Sequence, residues 1–335
     1  MKTLILTQRE IEELLTMNEC ISVMEDALRS VSGGEVIQPV RGIMKIPGNN
    51  VLGLMPSYRA DIQAVGAKVV TVFPSNHGSD YDAHQGVVLL FETEHGSLQG
   101  ILDATAVTAI RTAAVSGAAT RALARPNAGV LALLGAGTQA REHLEAMSIV
   151  RNLKEVRVWS PFPGEAREFA RRAEGGRACP MGGVRACAEA REAVEGADLI
   201  CTVTPAREPI LQGEWLSPGA HINAIGACTA ESREIDTAAV LRSKTYVDSL
   251  QSALTEAGDL VIPLREGAVE ERHIRGEIGK VLSGNLEGRT LAKEISLFKA
   301  VGLSVEDLAA ARFVYEKARK TCAGTWMELG GRRHE

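Results

Sequence analysis

Gly135-Ala136-Gly137-Thr138-Gln139-Ala140 is the segment whose residue types and spacing point most directly to chemistry. It follows a continuous apolar run, 129–134, and opens a helical pattern that reaches about Arg151. In that setting Gly135 permits a tight strand-to-helix turn and Gly137 lets the backbone approach a pyrophosphate. Ala140 is small enough for the helix to pack closely on its strand. Phosphate oxygens would rest on the unbonded N–H groups of the helix N-terminus, aided by its dipole. The expected cofactor contacts are Gly135, Gly137, Thr138 and Gln139, with Ser160, Thr202 and Gly226 on later strand ends. Dinucleotide enzymes that take NAD usually place an acid at the end of the second strand. Here that strand ends Val158-Trp159-Ser160-Pro161, and a neutral Ser160 could hydrogen-bond a 2′-phosphate. The cofactor expected is therefore NADPH or NADH, with NADPH favoured.

Three cations ahead of this motif stand among small or apolar neighbours: Arg41 in Val40-Arg41-Gly42, Lys68 in Ala67-Lys68-Val69, and Arg111 in Ile110-Arg111-Thr112. A cation in such company either reaches to solvent or holds a buried anion. With no acidic neighbours in sequence, the three together suggest a carboxylate pocket, in which Arg grips bidentately and Lys adds a compact charge. His84 is a further candidate for acid–base work. Cys228 stands at an expected strand end, Gly226-Ala227-Cys228, where it could line a pocket or serve as a nucleophile. Its spacing shows no His partner to activate it.

The elements around these residues divide into two patterns. The first thirty residues read as helix, with Thr7 and Glu10 forming a capping box and a second helix over about 17–31. Short strand-like runs follow at 41–46, 51–55, 64–72, 86–92 and 98–102, and Asp103 can cap a long alanine-rich helix to about Ala124. From 129 onward the pattern becomes strand–helix alternation, with strands at 129–134, 155–159, 198–204, 220–226 and 245–248, helices at 163–174 and within 184–194, and a mostly helical end over 305–328. The fold class expected is α/β: a doubly wound Rossmann domain over 121–305. It is joined to a mixed α+β domain over 1–120 that the C-terminal helix, 306–335, rejoins.

With 335 residues, 45% hydrophobic and 24% charged, the chain has the balance of an ordinary globular protein of two domains. A formal charge of −5 disfavours nucleic-acid or anionic-membrane partners. The start turns polar within six residues, and no uncharged apolar run nears the ~20 residues of a membrane span. Six scattered cysteines lack the spacing of a metal site or disulfide framework, so reduced thiols, no metal and a cytoplasmic location are expected.

The chain resembles the ornithine cyclodeaminase/μ-crystallin family. The resemblance is carried by Leu54-Met55-Pro56-Ser57-Tyr58, Gly66-Ala67-Lys68, Ile110-Arg111-Thr112-Ala113-Ala114, Leu123-Ala124-Arg125-Pro126-Asn127, the 135–140 motif, Ile222-Asn223-Ala224-Ile225-Gly226-Ala227 and Leu297-Phe298-Lys299-Ala300-Val301-Gly302-Leu303. It implies that the first domain binds substrate and forms a homodimer, and that Arg41, Lys68 and Arg111 hold a substrate α-carboxylate. Family members include cyclodeaminases, alanine dehydrogenases, reductases of cyclic imines and a hormone-binding crystallin. Two departures bear on activity. Gly53 stands where cyclodeaminases carry a Glu for the distal amine, and Cys228 where they carry a catalytic Asp. The activity expected is NAD(P)H-dependent reduction of a cyclic ketimine acid, of Δ1-pyrroline-2-carboxylate or Δ1-piperideine-2-carboxylate type, to an L-proline-like amino acid. Lys68, Arg111 and His84 would be catalytic, with Arg41 and Cys228 also contacting substrate. The alternatives are an alanine-type dehydrogenase, a cyclodeaminase-type lyase and a non-enzymatic ligand-binding protein.

Overall fold

The computed structural model describes residues 2–76, 78–176 and 178–330. Its contacts group into two compact units: Met1–Arg111 with Leu303–Glu335, and Thr112–Gly302. The division falls inside the helix Ala104–Leu123, between Arg111 and Thr112, and the chain returns to the first unit at Leu303. Among the described residues no helix is long and apolar enough to cross a membrane.

In the first unit the described residues form an eight-stranded mixed sheet. In spatial order it runs Thr325–Glu328, Lys2–Leu6, Leu98–Asp103, His84–Phe91, Ala64–Val72, Asn50–Arg59 and Val36–Ile37, with Gly42–Ile46 paired on Asn50–Arg59. The strand Ala64–Val72 alternates buried and half-buried residues, which sets Ala64, Gly66, Lys68 and Val70 on one inward face. The helix Ser304–Thr321 packs on that face. A Cβ added at Gly66 would lie 2.8 Å from Leu308 Cδ1, so glycine there lets the helix come close. Both N-terminal helices carry capping boxes, Thr7 with Glu10 and Thr16 with Glu19, and Met17–Gly33 ends at Gly34 in the left-handed conformation.

Three expectations for this unit need correction. Lys2–Leu6 is a strand, parallel to Leu98–Asp103, and not the start of a helix. Its alternation is too short to be told from a helical turn until a partner strand is present. The C-terminal helix ends at Thr321, where Cys322 turns left-handed, and Thr325–Glu328 returns as a strand antiparallel to Lys2–Leu6. Of the expected 306–335 helix, residues 331–335 lie outside the described residues. The expected 51–55 strand runs on to Arg59, through Pro56.

The second unit is a parallel sheet of eight strands among the described residues. Its order is Val184–Ala186, Glu155–Trp159, Val130–Leu134, Leu199–Thr202, His221–Ala224, Ile295–Lys299, Ser243–Val247 and Ile274–Glu277. The order reverses between Val130–Leu134 and Leu199–Thr202, the switch point where doubly wound folds bind ligands. Ala132, Leu134, Ile200, Ile222 and Leu297 are fully buried in the core of this unit. Within 184–194 the expected helix is Ala190–Val194, preceded by the short strand Val184–Ala186.

Candidate functional site

In the second unit, Gly135 ends the first strand with φ +123°, and a Cβ there would lie 2.9 Å from Val203 O. Only glycine meets both demands. Gly137 differs: its φ is −89°, and a Cβ would meet nothing within 4 Å. It caps the helix Thr138–Val150 with no side-chain bond to the first-turn N–H groups. The buried Oε1 of Gln139 has no hydrogen-bond partner among the described residues. Open space at Gly137, an uncapped helix N-terminus after it and Thr138 at its first residue suit a pyrophosphate. The residues present therefore fit a dinucleotide.

The later strand ends are tied together by Glu234, which sequence reasoning missed. Its carboxylate accepts from Thr202 Oγ (2.8 Å), Thr204 N and Oγ (2.6 and 2.7 Å) and Gly226 N (2.7 Å). Thr202, expected to face the cofactor, is thus fully buried with its hydroxyl on Glu234. Gly226 lies against the Thr204 backbone, where a Cβ has no room. Burial, with Asp259 close by, pushes the Glu234 carboxyl above its ordinary value. Asp259 accepts the N–H groups of Glu234 and Ile235 and pairs with Lys299 at 2.8 Å, while Lys299 donates to the Ala227 carbonyl. Ala227 precedes Cys228, which is exposed. Ser160 is buried, and its hydroxyl donates to Glu165 Oε2 at 2.8 Å.

In the first unit, Lys68 and Arg111 are both nearly fully buried. The view that they lack acidic neighbours is incorrect. Arg111 donates from Nη1 to Glu306 Oε2 (2.7 Å) and from Nε to Asp307 Oδ1 (2.9 Å), and Lys68 Nζ lies 3.3 Å from both Asp307 oxygens. The two acids come from the first turn of Ser304–Thr321, where the helix dipole favours them. They lie almost 200 residues from Arg111 along the chain, out of reach of any local pattern.

Burial lowers the Lys68 pKa to about 8; Asp307 opposes this, while the charges of Arg111 and Arg41 add to it. Arg41, half-buried just before Gly42–Ile46, therefore belongs to the same field. His84 opens the neighbouring strand, its side chain reaching the surface. The protein packed beneath it and the Lys68 charge lower its pKa. Gly53 is buried diagonally across the strand pair from Lys68, and a Cβ there would meet Val70 and Ile43. The arrangement can hold an anion, keep an ammonium partly deprotonated near neutral pH, and present an apolar wall beside it. Among the described residues no three His, Cys, Asp or Glu side chains gather as a metal site.

Residues 1–322 match the family model described as ornithine cyclodeaminase/mu-crystallin family. The chain is 40% identical over 316 residues to the ketimine reductase mu-crystallin of Mus musculus, covering 93% of this chain and 96% of that one. It resembles the structure of Thermococcus litoralis Δ1-pyrroline-2-carboxylate reductase in complex with NADH and L-proline, with TM-score 0.93, 36% identity, and coverage of 96% and 99% of the two chains. An archaeal alanine dehydrogenase dimer with bound NAD gives TM-score 0.91 at 32% identity, covering 98% and 100%. The chain belongs to the ornithine cyclodeaminase/mu-crystallin family.

Proposed function

We propose that this protein is a reductase of cyclic ketimine acids, converting a five- or six-membered ring C=N bearing a carboxylate into an L-proline- or pipecolate-like amino acid. The observation that carries this reading is the Lys68–Arg111 pair beside Gly53. Buried cations offer a carboxylate anchor, and the neighbouring wall of Val70 and Ile43 offers ring methylenes an apolar surface. Arg111, fixed by Glu306 and Asp307, presents its guanidinium in one orientation, and Lys68 supplies a second charge. Lys68, at about 8, remains mostly protonated at neutral pH and donates a hydrogen bond or proton at the imine nitrogen. A bound dihydronicotinamide supplies the hydride to the ring carbon. The carboxylate anchor belongs to the first unit and the dinucleotide cradle, Gly135–Gly137 with the helix that follows, to the second.

Similarity to the ketimine and pyrroline-2-carboxylate reductases supports the same substrate class. A distal ammonium, as in ornithine, would meet Val70 and Ile43 at position 53 instead of a carboxylate, and Cys228 offers no carboxylate base. The reading includes a homodimer: Ile37, Val40, Met44 and Leu54 expose apolar side chains on one stretch of the first unit, and the similar alanine dehydrogenase is a dimer. Light scattering on the purified protein checks it, a dimer mass being expected.

The activity test follows nicotinamide absorbance with pyrroline-2-carboxylate, piperideine-2-carboxylate, pyruvate plus ammonia, and ornithine. Turnover of the two ring imines well above the others is expected. Turnover of pyruvate plus ammonia alone would make the protein an alanine-type dehydrogenase, with His84 as the candidate proton carrier.

A further inference from the structure

The helix Ala104–Leu123 follows directly on Asp103, whose carboxylate accepts the Ala106 N–H at 2.8 Å. Over 104–111 every residue is buried except Thr105 and Thr108, which are half-buried. Residues three apart share a helix face, so these two threonines open one stripe of an otherwise covered helix. At the start of the stripe, Thr105 donates from Oγ to the His84 carbonyl at 3.1 Å. Three residues past Thr108 stands Arg111, bonded to Glu306 and Asp307, with Lys68 on the same Asp307. His84 is registered on Val72, which shares a strand face with Lys68. Thr108 therefore stands midway between the His84 end and the Lys68–Arg111 end, about 4.5 Å along the helix axis from each.

The packing of the helix leaves the Thr108 hydroxyl unexplained. Its oxygen is covered and has no hydrogen-bond partner among the described residues. A helical threonine can bond the carbonyl three or four residues back, and this one does not. A hydroxyl kept from water without a partner destabilises the free protein, so its retention points to a partner that binds. We infer that Thr108 is a substrate-binding residue whose hydroxyl donates to the carboxylate held by Lys68 and Arg111; the inference rests on the ketimine-acid site proposed above. A carboxylate offers about four acceptor positions. Lys68 and Arg111 share their donors with Asp307 and Glu306, so a hydroxyl one turn from Arg111 supplies a further bond. Being neutral, it adds no charge to the field around the Lys68 ammonium. Thr108 is half-buried as a residue although its oxygen is covered, so a third of a turn about χ1 uncovers the hydroxyl, and helices allow threonine two such rotamers.

The test titrates the intact protein, saturated with NADH, with pyrrole-2-carboxylate, a planar ring acid, by calorimetry in wild type, Thr108→Val and Thr108→Ser. Valine keeps the shape and removes the hydroxyl; serine keeps the hydroxyl. Thr108→Val should bind the ring acid about tenfold more weakly or worse, the size of one hydrogen bond to a charged group. Thr108→Ser should stay within about threefold of wild type. NADH affinity should not change, and the melting temperature of Thr108→Val should hold or rise, because the lost hydroxyl bonds to nothing in the free protein. With pyrroline-2-carboxylate the loss should fall on KM more than on kcat, and the alkaline limb of the pH profile should stay in place. Equal affinity in wild type and Thr108→Val overturns the role of Thr108 while leaving the carboxylate site standing. A lowered melting temperature in Thr108→Val, or a serine variant as weak as valine, overturns it too, by making the residue a structural or shape element. A wild type that does not bind pyrrole-2-carboxylate overturns the carboxylate site itself and this inference with it.

Discussion

Asp307→Asn should move the alkaline limb of the pH–rate profile to lower pH. Asp307 is the anion that opposes the burial of Lys68, lying 3.3 Å from Nζ. At that distance a unit-charge attraction is about 5 kcal/mol gross at an effective dielectric constant near 20. Opposite charges this close move a pKa by about 1–3 units in practice. With Asp307 neutral, burial and the charges of Arg111 and Arg41 all act downwards, so Lys68 should fall from about 8 to roughly 5–7. At pH 7.5 the protonated fraction would drop from about three quarters to about one quarter or less. If protonated Lys68 is needed at the imine nitrogen, wild-type kcat/KM declines above about pH 8, and the variant declines at least about one unit earlier. Arg111 retains Glu306 at 2.7 Å, so the variant should fold, at a loss of about 3 kcal/mol for the broken buried pair. Competitive acetylation of the Lys68 amine across pH, read by mass spectrometry, measures the same shift without turnover. A folded variant whose amine titrates where the wild type's does would refute the electrostatic reasoning. An amine that shifts while the rate profile stays put would remove Lys68 as the proton carrier.

Gly137→Val should keep the melting temperature within about 2 °C, because its Cβ enters open space at an ordinary φ, yet weaken NADH binding more than about tenfold in a fluorescence titration. Gly135→Ala should instead lose about 1–3 kcal/mol of stability through its φ of +123° and the nearby Val203 carbonyl, measured by urea unfolding. Glu234→Gln puts an amide NH₂ against groups that donate to the carboxylate, so unfolding should ease by about 2–4 kcal/mol; an unchanged urea midpoint would dismiss Glu234 as the tie between strand ends. Burial holds the His143 pKa at about 4 and the His221 pKa at about 3, whereas both titrate near 6.5 once unfolded. The unfolded chain then binds more protons below pH 6.5, so stability should fall from there towards pH 4 by up to about 2.7 kcal/mol per unit for the pair. Urea midpoints at pH 7, 6 and 5 check the slope, and His143→Gln should remove about half of it.

The glycine-rich turn after Val130–Leu134 was readable in sequence because its requirements are local. A positive φ at Gly135, space at Gly137 and a small Ala140 concern adjacent residues on one turn. The capping box of Thr7 with Glu10, and the strand Ala64–Val72, are local in the same way. What escaped depends on partners far along the chain. Lys68 and Arg111 stand out as isolated cations, but nothing near them announces Glu306 and Asp307. Glu234 likewise looks like one surface acid among many until Thr202, Thr204 and Gly226 converge on it. The strands Ile274–Glu277 and Ile295–Lys299 escaped as well, although the latter is buried throughout and sits mid-sheet.

The discontinuity of the first unit gives the two halves different histories during synthesis. Residues 112–302 are contiguous, so the second unit holds everything its sheet needs without any residue from Leu303 onward. The first unit has waited since its opening strand, with Lys68 and Arg111 already made and their buried counter-charges not yet translated. Burying those cations early would leave them uncompensated, which disfavours premature closure of the amino-terminal sheet. Emergence of Glu306 and Asp307 removes that penalty, and Thr325–Glu328 then adds the edge strand beside Lys2–Leu6. A released truncated chain ending at residue 302 should therefore show a protease-resistant second unit attached to a protease-sensitive leader.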